Sequence, residues 1–149
     1  MFRRPKIKFM KAHKDAIIPK FAHKSDAGMD LYAVENAVIK AGDFKVVATG
    51  LKMAMPFGYE AQIRARSGLA AKKGIGVLNG PATIDADYRG ELGVILINHS
   101  KDDFVIEPGD RIAQMIISKL DKFEIMEVVS LDKTRRGEGG FGSTGVKKN

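Results

Sequence analysis

Cysteine is absent from this chain of 149 residues, and histidine occurs only three times. Without cysteine the chain has neither disulfides nor thiolate zinc sites, although this leaves its compartment open. His13, His23 and His99 are scattered, which argues against a histidine metal cage. No apolar run is long enough to cross a bilayer, and none follows the basic start as a secretory signal requires. The sequence predicts no membrane partner and a cytoplasmic location, or a nuclear or organellar one in a eukaryote.

Acidic residues are outnumbered by basic ones, and the formal net charge is +7. Such a charge suits a polyanionic partner, whether a nucleotide, a nucleic acid or an acidic membrane. Much of it lies near the two ends of the sequence, where a solvated surface explains it equally well. At this length we expect one domain with a sizeable core.

Helical periodicity is rare and strand patterns prevail. Residues 59–66 alternate, with Tyr59, Ala61, Ile63 and Ala65 on one face. Phe123 to Val129 alternates more weakly. The runs 92–97 and 112–117 are almost continuously apolar, as in strands buried on both faces. Turn signals at short intervals separate these runs, and together they predict an all-β sandwich, barrel or jelly roll.

One segment departs from the strand pattern. Residues 67–74 favour a short helix that Ser67 caps and Gly74 closes. Because Arg66 precedes it and Gly68 lies in its first turn, this start suits a phosphate group. A plain connector between strands is the alternative.

Asn79 to Glu91 holds the carboxylates best placed for acid–base chemistry. Asn79-Gly80-Pro81 predicts a turn and a hairpin. Asp85 and Asp87 have the spacing that puts both side chains on one face of a strand. One carboxylate there could take a proton from water during attack on a phosphate, whereas two solvated aspartates are the alternative.

Two polar residues stand out among apolar neighbours. Asp30 follows a glycine at 28 and could contact Mg²⁺ through water, because Mg²⁺ keeps several waters beside few carboxylates. Gln114 lies within an apolar run, where it either bonds within the core or points at a ligand.

The segment 137–145 has five glycines in nine residues, and Arg135 and Arg136 precede it. Such a stretch cannot pack a core, but its free backbone N–H groups can wrap an anion. Phe141 offers a ring for a base, and Ser143 and Thr144 offer hydroxyls for phosphates. The segment therefore suits a nucleotide, with a disordered tail as the alternative.

Five blocks in order resemble the five motifs of the trimeric dUTPase family. They are residues 27–31, 65–70, 79–91, 108–114 and 136–145. The resemblance implies an all-β, distorted jelly-roll or β-clip barrel with one short helix, assembled as a homotrimer with shared active sites. It also implies a catalytic domain at 1–130 and a flexible tail at 131–149 that closes over a neighbouring site. The implied reaction is Mg²⁺-dependent hydrolysis of dUTP to dUMP and pyrophosphate.

The resemblance also implies residue roles. Asp85 is implied as the base that activates water, and Tyr88 as the residue under the deoxyribose. Uracil recognition falls to Asn79 and the nearby backbone, with Thr83 and Ile84 as further substrate contacts.

The resemblance also implies which residues contact the phosphates. The implied phosphate ligands are Arg66, Ser67, Gly68 and Gln114, and Asp30 is implied to steer Mg²⁺ through water. In the tail, Arg136 is implied as an arginine finger and Phe141 as the residue that stacks on uracil. The implied contacts to the terminal phosphate are Ser143 and Thr144, and Gly142 is implied as a further substrate contact.

Ala82 stands where the family often has glycine, which bears on the backbone that reads uracil. Two other functions compete with a diphosphatase: a dCTP deaminase of the same fold, and a nucleotide- or nucleic-acid-binding module without turnover. Asp85 and the Phe141 tail favour the diphosphatase, and no stable nucleic-acid partner is expected. Product analysis with dUTP and dCTP separates the three.

Overall fold

The computed structural model describes residues 4–145 and contains eleven strands and one short helix. In chain order the elements are β1 Lys8–Lys11, β2 Gly28–Tyr32, β3 Ala37–Ile39, β4 Phe44–Ala48, β5 Leu51–Ala54, β6 Tyr59–Arg64, α1 Ser67–Lys73, β7 Ile75–Val77, β8 Ala82–Ile84, β9 Gly93–Asn98, β10 Phe104–Ile106 and β11 Arg111–Lys119. The all-β prediction with one short helix is confirmed.

The strand pairs are antiparallel and nested. β2 pairs with β11, β3 with β10 and β4 with β9, so two long halves of the chain fold back on each other. Such nested antiparallel pairing of the two halves is typical of a jelly roll. Between residues 4 and 145 the strands form four separate sheets, ordered β2-β11-β6-β8, β4-β9-β7, β1-β5 and β3-β10, and not a closed barrel.

The four-stranded sheet β2-β11-β6-β8 separates the core from the candidate site. Its inner face buries Leu31, Ile63 and Met115 in the core. Its outer face is largely polar, because Asp30, Gln114 and Arg64 lie opposite one another across three adjacent strands. The predicted alternation is confirmed for Ala61 and Ile63, which are buried. The strand ends at Arg64, two residues before the end of the predicted run.

The two apolar runs are buried on one face only. In β9 the inward residues Val94 and Leu96 are buried, whereas Ile95 and Ile97 are half-buried. In β11 the outward-facing Ile116 is likewise half-buried, because no sheet or helix within residues 4–145 covers that side. The prediction of strands buried on both faces is therefore wrong for the single chain.

Three local predictions are wrong. Residues 123–129 form no strand, because they lie exposed beyond β11 with no neighbouring strand to bond. Ser67 is the first helical residue and not the cap; Arg66 holds the cap position in an extended conformation, while Gly74 ends the helix as predicted. The turn at 79–81 joins two different sheets, since β7 pairs with β9 and β8 with β6, so no hairpin forms there.

From residue 120 to 145 the chain has neither helix nor strand, and most of its side chains are exposed. The domain boundary at residue 131 stays a prediction. Among residues 4–145 no helix is long and apolar enough to span a membrane.

Candidate active site

An ion-pair cluster forms where β2, β6 and β11 come together. Asp30 accepts a hydrogen bond from Arg66 Nε at 2.9 Å, and its other oxygen lies 3.6 Å from Arg111 Nη1. Arg66 Nη1 also donates to the Arg111 carbonyl at 3.2 Å. These contacts fix the Arg66 guanidinium at the start of α1, beside exposed Ser67 and Gly68. A preoriented guanidinium next to free N–H groups suits a phosphate.

Gln114 is anchored in the same cluster. Its Nε2 donates to the Ala65 carbonyl at 3.0 Å, which ties β11 to the end of β6. Its side chain crosses Gly28, where an added Cβ would lie 2.6 Å from Gln114 Oε1. Gln114, Asp30 and Arg111 line a cavity of about 350 Å³. The predicted phosphate ligands therefore lie together with the predicted metal contact.

A second cluster lies in the loop after β8. Thr83, Ile84, Asp85 and Tyr88 line a cavity of about 160 Å³, together with Glu91 and its neighbours. The spacing argument for Asp85 is wrong: β8 ends at Ile84, and the chain then turns, with Tyr88 N donating to the Asp85 carbonyl at 3.2 Å. Asp85 is exposed and shares its cavity with Tyr88, whereas Asp87 does not line it. Asn79 lies on the exposed turn before this strand.

The two clusters lie at opposite ends of β6. In the antiparallel pairing of β8 with β6, Ile84 lies opposite Ala61. Asp85, the first residue after β8, therefore lies near the level of Glu60. Arg66 lies six residues further along nearly extended chain, which is roughly 20 Å at the rise of a strand. Within one chain, Asp85 and the Arg66 cluster therefore face separate cavities.

The tail residues form local turns. Arg136 Nε donates to the Gly139 carbonyl at 2.7 Å, and Ser143 N donates to the Gly140 carbonyl at 3.0 Å. Phe141 is fully exposed with φ of 48°. Up to residue 145, each hydrogen bond made by residues 134–145 stays within that segment. The described part of the tail therefore reaches neither cluster of its own chain.

The carboxylates fit a water-mediated metal contact better than a protein cage. Within the described range 4–145, no group of three or more His, Cys, Asp or Glu side chains could hold a metal ion. Asp30 Oδ1 is taken by Arg66, but its Oδ2 is 3.6 Å from Arg111 and can still accept from a metal-bound water. This donor set suits Mg²⁺ that keeps its waters and is held chiefly by phosphates.

Comparison with known proteins agrees with this geometry. The family model described as dUTPase matches residues 14–145. The chain belongs to the dUTPase family. The deoxyuridine 5′-triphosphate nucleotidohydrolase of Nautilia profundicola is 53% identical over 140 residues, covering 94% of this chain and 99% of that protein. The enzyme of the same name from Rickettsia bellii is 58% identical over 131 residues, 87% of each chain.

Solved structures of the dUTPase family share the fold. A point mutant of the dUTPase of Staphylococcus bacteriophage 80alpha, solved with dUpNHpp, has a TM-score of 0.87 at 27% identity. The match covers 95% of this chain and 99% of that one. A point mutant of the dUTPase from phage phi11 of S. aureus has a TM-score of 0.79 at 23% identity over 86% of this chain and 99% of that one, and its description names a structural Mg(II) ion.

Two features of the site carry no signal in the sequence. Arg111 lies in the block 108–114, yet only the fold places it beside Asp30. Gly90 and Glu91 follow Tyr88, yet the sequence does not show that the Tyr88 ring folds back on them, or that Glu91 bonds to the β4–β5 turn. An arginine at the start of a strand, or a glycine two residues after a tyrosine, is too common in sequences to indicate an ion pair or a contact with the ring.

Proposed function

We propose that this protein hydrolyses dUTP to dUMP and pyrophosphate, which limits uracil in DNA and supplies the precursor of thymidylate. The observation that carries the proposal is the pair of complementary clusters in a chain of the dUTPase family. One cluster offers a cavity with a carboxylate and an aromatic ring. The other offers a fixed guanidinium beside exposed backbone N–H groups.

The Asp85 cluster binds the nucleoside end and supplies the base. The backbone around Asn79 pairs with uracil, Tyr88 packs under the deoxyribose, and Thr83 and Ile84 complete the pocket wall. Asp85 takes a proton from a water, which then attacks a phosphorus of the triphosphate while pyrophosphate leaves. Exposure of Asp85 supports this role, because among residues 4–145 it has no ion-pair partner and can accept a proton from water.

The Arg66 cluster binds the phosphates. Arg66 is already oriented by Asp30, so its remaining N–H groups and those of Ser67 and Gly68 are available to phosphate oxygens. Gln114 adds an amide to the cavity that Asp30 and Arg111 line. Asp30 Oδ2 would hold a bound Mg²⁺ through one of the ion's waters, and the ion would supply charge neutralisation at the phosphates.

The chain assembles as a homotrimer with shared active sites. The ~20 Å between Asp85 and Arg66 along β6 supports this, because the base and phosphate ligands of one chain then meet different nucleotides. The segment 120–131 supports it further. Phe123, Ile125 and Val129 there are more than 80% exposed, as expected of a strand-like segment that packs on a neighbouring subunit.

The tail closes a site built by other subunits. Its turns leave the exposed Phe141 ring available to stack on uracil, and Arg136, whose Nε donates to the Gly139 carbonyl, approaches the transferring phosphate through its other N–H groups. Contacts to the terminal phosphate come from Ser143 and Thr144, and Gly142 is a further substrate contact. Closure excludes bulk water and strengthens these charge contacts. A cytoplasmic location and the lack of a stable nucleic-acid partner remain predictions of the sequence.

Product analysis tests the reaction. The purified protein with Mg²⁺ is incubated with dUTP or dCTP, and nucleotides, pyrophosphate and ammonia are measured. We expect dUMP and pyrophosphate in equal amounts from dUTP, and little product from dCTP. Ammonia from dCTP would identify a deaminase, and no product from either nucleotide would identify a binding module; either result overturns the proposal.

Subunit mixing tests the shared sites. Asp85→Asn chains and chains that end at residue 135 are each expected to be nearly inactive. After exchange of subunits, mixed trimers combine an intact Asp85 with an intact tail from another chain, so activity returns. The control is each variant refolded alone. No recovery in mixtures whose exchange is demonstrated by mass would show that the sites are not shared.

A further inference from the structure

The Tyr88 ring is folded back on its own loop. Tyr88 Oη donates to the Glu91 carbonyl at 3.2 Å, three residues later. The side chain lines the cavity that Asp85 also lines, and it is 45% exposed. The ring is therefore held by its loop, with one side free for a ligand.

The ring lies where a side chain at position 90 would be. A Cβ built on Gly90 would lie 2.9 Å from Tyr88 Cε2 and closer still to Tyr88 Cζ and Oη. Such approaches do not occur between real atoms, so any other residue at 90 must displace the ring. The nearest atoms belong to the outer end of the Tyr88 side chain and not to the backbone. A substitution therefore moves the ring and leaves the loop in place.

The far end of the loop is fixed to the core. Glu91 Oε1 accepts a hydrogen bond from Gly50 N at 3.1 Å in the turn between β4 and β5. The buried Leu92 donates to the Leu51 carbonyl at 2.8 Å and accepts from Thr49 Oγ1 at 2.6 Å. The carbonyl that anchors Tyr88 thus belongs to a residue that is itself anchored.

We propose that Gly90 is a specificity-determining position and that Glu91 is a positioning residue, both acting through Tyr88. The inference rests on the proposed function, in which Tyr88 packs under the deoxyribose. A ring held by its own loop gives the sugar pocket a fixed wall where a 2′-hydroxyl would not fit. A ring displaced by a side chain at 90 no longer forms that wall, so discrimination between deoxyribose and ribose is lost.

The test is the ratio of kcat/KM for dUTP to that for UTP. For Gly90→Ala we expect kcat/KM for dUTP to fall about tenfold or more, as a misplaced contact of ~1 Å can do. The UTP value should change much less, so that the ratio falls at least about tenfold, or ~1.4 kcal/mol. The melting temperature should stay within a few degrees of wild type. An unchanged ratio overturns the proposal.

A double mutant separates this effect from general damage. If Gly90 acts through Tyr88, Gly90→Ala should lower the ratio no further once Tyr88→Ala is present. An additional tenfold loss on that background would show that Gly90 acts by another route. This comparison remains informative even if Gly90→Ala alone is less stable.

Glu91 offers a matched pair of variants. Glu91→Gln keeps an oxygen that can accept from Gly50 N, so its selectivity should match wild type. Glu91→Ala removes that acceptor, and its ratio should fall a few-fold because the loop is less firmly held. Equal losses in both variants would point to the charge and would contradict a positioning role.

Failure of the proposed function is recognisable separately. A wild-type protein that does not hydrolyse dUTP, or that treats dUTP and UTP alike, contradicts the proposed function before any variant is made. A wild-type protein that prefers dUTP, with Gly90→Ala equally selective, contradicts only the inference about Gly90.

Discussion

The jelly-roll body and the tail hold their candidate site residues in different ways. In the body, Arg66 bonds to Asp30 across 36 residues of sequence, and Gln114 bonds to the Ala65 carbonyl across 49. In the tail, Arg136 bonds to Gly139, three residues away. These two body residues are therefore fixed by tertiary contacts, whereas the described tail residues are fixed only by local turns.

This difference bears on catalysis. Groups that are already oriented need little reorganisation when substrate binds. Ordering the tail over substrate costs on the order of 1 kcal/mol or more per residue fixed. That energy must come from contacts to the nucleotide, so the tail should close only when base and phosphates are both present. The preoriented groups of the body therefore determine where the substrate binds. Closure of the tail determines when the reaction can proceed.

Removal of the tail should have the largest effect on rate. A chain that ends at residue 135 lacks Arg136 and the closing segment, and we expect kcat to fall about 10³-fold, the lower range for loss of an arginine finger. The melting temperature should hardly change, because the tail makes no hydrogen bonds to the body within residues 4–145. The control is a chain that ends at residue 145, where the family match also ends. Full activity without residues 136–149 would reduce the tail to a disordered appendage.

Loss of the proposed base should come next. Asp85→Asn should bind dUTP as wild type does, since size and shape are retained, but kcat should fall at least ~10²-fold. Asp87→Asn, two residues further along the same exposed loop, is the matched control and should stay near wild type. Single-turnover kinetics and equilibrium binding distinguish the two effects. Near-normal turnover in Asp85→Asn would remove this residue from the mechanism.

A smaller effect is expected where the body orients a phosphate ligand. Asp30→Asn removes the charge between Arg66 and Arg111 and weakens the contact to metal-bound water. We expect KM for Mg²⁺-bound dUTP to rise about tenfold, and the Mg²⁺ concentration for half-maximal rate to rise with it. Asp26→Asn, in the same cavity, is the control for charge alone. An unchanged Mg²⁺ dependence would show that Asp30 acts only through its ion pairs with Arg66 and Arg111.

The smallest effect should follow loss of the tail aromatic. Phe141→Ala removes one stacking contact, which contributes ~1–3 kcal/mol per base, so at the lower end of that range KM should rise about fivefold with kcat less affected. Phe57→Ala is the matched control, because Phe57 is 82% exposed on a turn and lines neither candidate cavity. A change confined to kcat would mean that Phe141 acts on closure and not on base binding.

Several elements could be predicted from local sequence. Alternation identified the core face of β6, and Gly74 correctly marked the end of the helix. Predictions from local sequence failed where the secondary structure depends on a neighbouring strand. Residues 123–129 have a strand pattern but no neighbouring strand among residues 4–145, and the turn at 79–81 separates two sheets. A strand needs hydrogen bonds from another strand, and periodicity does not say whether one is present.

The sequence by itself determined the family, the all-β class and the order of the five motifs, because these depend on residue types and spacings along the chain. Only the tertiary structure decided that Asp30, Arg66 and Arg111 form one cluster, that Asp85 lies ~20 Å away along β6, and that Glu91 bonds to Gly50. Those contacts join residues through the pairing of β2, β6 and β11 and through a loop fixed to the core. The physical reason is that sheet register, not sequence distance, brings side chains together.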